Sequence, residues 1–111
     1  MILRWREIGG RPGNRLFERL HGSIERYRDR SQSIEIGLTT DPTRLWSERR
    51  YQGWNEMVVI YSTSTRDFAA AVEKDLIARG WGEAFTSWNY ELLGERLPGS
   101  YIRYYVYLMM V

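Results

Sequence analysis

The side chains best equipped for chemistry in this chain are arginines. Their planar fork of N–H donors grips phosphate and carboxylate oxygens. Fifteen of the sixteen basic residues are arginine, and Lys74 is the exception. Residues 1–30 carry eight arginines against four acids, whereas the remainder carries eight bases against ten acids, so the positive surplus is concentrated early although the net charge is only +2. Arg11, Arg15, Arg19, Arg26 and Arg30 follow one another at helical spacing and line one face, bordered by Glu18, Glu25 and Asp29. Such a stripe has two readings. It is a solvated helix face, or it is a surface for nucleic acid or an acidic partner, with Arg15, Arg19 and Arg26 as contacts. A GC-rich coding sequence gives the same arginine bias without any role. Farther on, Arg49 and Arg50 form a second candidate phosphate-contact pair. Arg44 stands four residues before Glu48, the spacing of an exposed helical ion pair.

The composition excludes other chemistries. There is no cysteine, hence no disulfide, thiolate nucleophile or thiolate metal site. The single histidine, His21, rules out multi-histidine metal centres and reads as structural. No run approaches the ~18 apolar residues of a membrane span, and the first residues alternate charge with apolar groups instead of forming a signal peptide's core. A cytoplasmic protein with no membrane partner is expected. The 111 residues make one domain, 1–111.

The elements that must position these groups follow from periodicity. Residues 2–8 alternate as a strand, with Leu3 and Trp5 on one face and Arg4 and Arg6 on the other. A Gly-Gly-Arg-Pro-Gly turn leads to Asn14 as a helix N-cap, and Leu16, Phe17, Leu20, Ile24 and Tyr27 form the apolar stripe of a helix over 15–29. A strand over 33–39 puts Ile34 and Ile36 opposite Glu35, with Gly37 permitting close approach of another backbone. Asp41-Pro42 starts a helix reaching about Tyr51. Residues 56–62 form a buried strand. Ser64 to Asp67 resemble a capping box opening a helix to about Arg79, with Gly80 as its stop. Glu73 lies at the margin of that helix's buried stripe, where a carboxylate reaches a cleft rim while its helix stays anchored. Residues 82–100 read as loop, and 101–111 as a strand whose tyrosines occupy both faces, leaving one face for a partner or a second copy of the chain in a homodimer. Trp46, Trp54, Trp81 and Trp88 suit either base stacking or core filling. The fold class expected is α+β: a small mixed or antiparallel sheet of about four strands flanked by three helices.

The string Ile36-Gly37-x-Thr39-x-Asp41, the strand Met57 to Tyr61 and the segment Ala70-Ala71-Val72-Glu73-Lys74 together resemble the GIY-YIG nuclease domain over about residues 33–79. Asn89, followed by Gly94, loosely matches that family's late asparagine. The resemblance implies a strand–helix–strand–helix scaffold, action on DNA or RNA, and hydrolysis of a phosphodiester with one divalent metal, Mg or Mn. It places Glu73 as the metal ligand. The chemical positions depart from the pattern. Glu35 stands for the motif tyrosine, where it serves as base, second metal ligand or plain strand residue. Leu45 stands for the essential arginine, with Arg44 adjacent and Arg49 one turn on as substitutes, and Arg49 also replaces the usual histidine. Three readings are therefore open: a nuclease using Glu35, Arg44, Arg49 and Glu73; a nucleic-acid-binding module that has lost catalysis and uses Arg15, Arg19, Arg26 and Arg50; and a protein-interaction or inhibitory small protein.

Overall fold

The computed structural model describes residues 2–80, 83–84 and 103–111. The architecture is α+β, as the periodicity implies. In chain order the elements are β1 (Ile2–Ile8), α1 (Asn14–Arg30), β2 (Ile34–Thr39), α2 (Pro42–Arg49), a 3-10 turn (Arg50–Gln52), β3 (Glu56–Thr63), α3 (Arg66–Ala78), the two-residue strand β4 (Glu83–Ala84) and β5 (Tyr104–Met110). They build one mixed sheet in the order β1-β3-β5-β2-β4. The pairs β1–β3 and β2–β4 are parallel, whereas β5 is antiparallel to both β3 and β2.

The C-terminal strand is therefore central. Val106 to Met110 are buried, so β5 is covered on both faces and presents no edge to a second copy. This corrects the expectation of a free tyrosine face there: Tyr107 is fully buried, and Tyr104 and Tyr105 are half-buried. The strand is apolar on both sides because each side meets a helix layer. Tyr101, Trp81, Trp88, Asn89 and Gly94 lie outside the described residues.

On one face α1 and α3 pack Leu20, Ile24, Val72 and Leu76 against Ile36, Leu38, Val58 and Leu108. On the other, α2 sets Leu45 and Trp46 against Met57, Val59, Tyr107 and Met109. An irregularity between Val59 and Tyr61 places both Ile60 and Tyr61 in the α1/α3 core, where strict alternation would separate them. His21 Nε2 lies 3.1 Å from Asp75 Oδ2 and ties α1 to α3.

Two caps differ from the sequence reading. Asn14 is the first residue of α1 and not its cap; the cap position is Gly13, with no side-chain hydrogen bond. Thr65 caps α3 without a side-chain bond, so the capping box is not formed. Asp41 does cap α2: its Oδ1 accepts from the Arg44 backbone N–H at 3.1 Å, and Pro42 follows. That helix ends two residues earlier than expected, passing into the 3-10 turn and then Gly53, whose φ of 92° is glycine's region.

Candidate functional site

Two charged clusters bear on the nominated residues, one on each side of the sheet. The first gathers around Arg49 on the α2 face. Glu35 pairs with Met109 across β2–β5 and Gly37 with Tyr107, so Glu35 lies on the face that carries Met109 and Tyr107. Arg49, at the end of α2, sends Nη2 to both carboxylate oxygens of Glu35, at 3.1 and 3.0 Å. Its Nε donates to Gln52 Oε1 at 2.9 Å, and its guanidinium lies 5.7 Å from the Trp54 ring centroid. The two side chains are only 10% and 16% exposed. Low exposure strengthens their attraction and makes each a poor partner for anything else. Tyr107 sits beside them. Burial pushes its phenol well above the ordinary tyrosine range, and the Glu35 carboxylate pushes it further, with Arg49 pulling the other way and the Glu73 carboxylate adding a smaller upward push. It stays a neutral hydroxyl at physiological pH, not a base.

The positions that the sequence nominates for catalysis are thus divided. Glu35 and Arg49 meet, but they neutralise each other. Arg44 turns to solvent and pairs with Glu48 at 3.3 Å. Glu73 is on α3, whose apolar stripe packs on the opposite face from Glu35. It lines a cavity of about 420 Å³ with Ala70, Lys74, Ile77 and Ala78. Desolvation there raises its carboxyl to about 7, well above the ordinary carboxylate range. No group of three or more His, Asp or Glu side chains that would hold a cation occurs among the described residues. Of the Mg or Mn site that the resemblance implies, Glu73 is the one carboxylate lining this cavity, and other ligands would have to come from water or substrate.

The second cluster lies where α1 crosses the edge strand β1. Arg4 and Arg6 project toward α1, and Arg26, Tyr27 and Arg30 meet them there, enclosing a cleft of about 220 Å³. The Glu56 carboxylate braces two of these arginines: Oε2 accepts from Arg4 Nε and Oε1 from Arg30 Nη2, both at 2.7 Å. Arg26 donates to the Tyr27 hydroxyl at 2.8 Å. The Arg26 and Arg30 guanidiniums lie 4.8 and 5.0 Å from the Tyr27 ring centroid, which orients both by cation–π attraction. Arg6 and Arg26 have no acidic partner among the described residues. The cleft thus carries four guanidiniums against one carboxylate. It can accept an anion by bidentate hydrogen bonding at low desolvation cost, since the lining is already half-exposed.

Arg26 is the one nominated contact of the arginine stripe that joins this cleft. Arg15 and Arg19 are exposed farther along α1, and Arg50 stacks on Tyr51, with Nη2 2.6 Å from its hydroxyl. Arg4 and Arg6 were recognisable as one face of a strand. Their approach to Arg26 and Arg30 depends on where α1 crosses the sheet, which no local pattern reports.

No protein-family model, curated protein or solved structure matches the chain. The functional reading therefore rests on the geometry.

Proposed function

We propose that this chain binds nucleic acid through the β1–α1 arginine cleft and does not cut it. The reading makes it a divergent GIY-YIG-like domain whose scaffold outlasted its chemistry. The observation that carries it is the convergence of Arg4, Arg6, Arg26 and Arg30 on one cleft, where Glu56 is the one acid paired with them among the described residues. A phosphodiester backbone supplies the regularly spaced anions that such a cleft selects. The loss of cutting is supported by the Glu35–Arg49 pair, which occupies the one buried arginine near the motif with an internal counter-ion.

The test is binding of fluorescently labelled DNA and RNA 20-mers, followed by anisotropy in about 50 mM salt, with a parallel cleavage assay in Mg and Mn. Binding is expected to weaken steeply with salt, and each of Arg6→Ala and Arg26→Ala should lower the log–log salt slope by about one phosphate contact. No cleavage is expected. Absence of binding to either nucleic acid overturns the reading, and metal-dependent cleavage abolished by Glu73→Gln overturns its non-catalytic half.

A further inference from the structure

Trp5 is the largest exposed aromatic on the sheet, 47% exposed at the centre of edge strand β1. It does not stand alone. Its ring meets Tyr105 of β5 edge-on, with centroids 5.8 Å apart and planes at 83°. The β3 irregularity makes this possible: turning both Ile60 and Tyr61 to the opposite core leaves Val59 and Ser62 as successive residues on this face, beneath the two rings. A polar row continues beside them. Arg103 Nη2 donates to Ser62 Oγ at 3.0 Å, and Ser62 Oγ donates to Glu7 Oε1 at 3.0 Å.

We infer that Trp5 and Tyr105 form a stacking site for an unpaired base, so that the preferred ligand is a single strand of nucleic acid. The inference rests on the proposed nucleic-acid binding and specifies its form. An aromatic pair set edge to face offers one open indole surface for a base, while Glu7 and Arg103, linked through Ser62, supply an acceptor and a donor nearby. Alternation along β1 puts Arg4 and Arg6 on one side of the strand and Trp5 on the other, both at the open edge of the sheet. A single strand passing this edge can lay phosphate in the cleft and turn a base onto Trp5. The interior of a duplex cannot, because both faces of each of its bases are already stacked. Charge argues against a second copy of the chain as the occupant: pairing two β1 edges antiparallel about Trp5 sets Arg4 against Arg6, and like charges opposed across strands repel.

The experiment compares one labelled 15-mer, single-stranded and as a duplex, against the parent chain, Trp5→Ala, Trp5→Phe and Arg6→Ala, with thermal melts to confirm folding. The parent should prefer the single strand by at least about tenfold. Trp5→Ala should weaken single-strand binding by about five- to a hundredfold, the worth of one stacked base, and leave duplex affinity and the salt slope in place. Trp5→Phe should keep most of the affinity. If the oligonucleotide binds and Arg6→Ala weakens it while Trp5→Ala changes nothing, or weakens duplex and single strand alike, the stacking site is overturned and the arginine cleft stands. If neither form binds, both proposals fall. A concentration-dependent dimer that Trp5→Ala dissociates also overturns the assignment, by showing that a second copy covers the ring.

Discussion

Nη2 of Arg49 contacts both oxygens of Glu35, and the pair is nearly closed off from water. One side chain ends α2 and the other belongs to β2, so the pair pins the helix to the sheet on the face that α1 and α3 do not cover. It also limits what each group is free to do: a guanidinium holding a buried carboxylate has fewer donors left for a phosphate.

Removing one member should leave an uncompensated charge. Arg49→Leu is expected to cost about 3–5 kcal/mol in urea unfolding, whereas the Glu35→Leu/Arg49→Leu double variant should recover much of that loss. If the double variant is as unstable as the single one, the pair contributes by packing rather than by charge.

Gly37 faces Tyr107 across β2–β5, and a Cβ at position 37 would lie 2.8 Å from the ring's Cε1 and closer still to Cζ and Oη. Tyr107 is fully buried and has little room to retreat. Gly37→Ala should therefore destabilise by about 1–3 kcal/mol through overpacking. The same substitution made in a Tyr107→Leu background should cost clearly less, and the coupling measured by the double-mutant cycle is the readout.

In the arginine cleft, Arg4 and Arg6 have different duties. Arg4 satisfies Glu56, which is only 13% exposed, while Arg6 is exposed and has no ion-pair partner among the described residues. Arg4→Ala should lower stability by about 1 kcal/mol, and Arg6→Ala should leave it within about 0.5 kcal/mol of the parent. Chemical denaturation of the two variants separates an anchoring arginine from a ligand-facing one.

Glu73 should make stability depend on pH. Its carboxyl titrates at about 7 in the folded chain against an ordinary 4.5, because burial disfavours the charged form. Folding therefore takes up a proton between those values, and stability falls as pH rises from about 4.5 to 7. Below that window the carboxyl is protonated in both states and costs nothing. Glu73→Gln should be more stable than the parent by about 1 kcal/mol at pH 8, less than the full shift implies because the group is partly solvent-screened, and the difference should close by pH 4. Equal melting curves at pH 8 would place the carboxylate in solvent.

By itself the sequence determined the local elements. Asp41-Pro42 could start only a helix, the apolar repeat from Leu16 to Tyr27 could bury only one helical face, and the run from Met57 to Tyr61 could sit only in a core. These are short-range constraints: capping, fixed proline φ and periodic burial act within a few residues. The charge surplus of residues 1–30 was equally legible. Tertiary structure alone decided what these charges meet. The insertion of β5 between β3 and β2 buried Tyr107, which periodicity left open, and placed it over Gly37. Parallel pairing of β1 with β3 carried Arg4 and Arg6 to Arg26 and Arg30 across some twenty residues of chain, and brought Trp5 to Tyr105 across a hundred. Glu73 came from α3, whose apolar stripe packs on the other face of the sheet from Glu35 and Arg49, yet its charge still reaches the Tyr107 hydroxyl beside that pair. Such pairings are fixed by the lowest free energy of the whole packed chain, and no window of local sequence contains them.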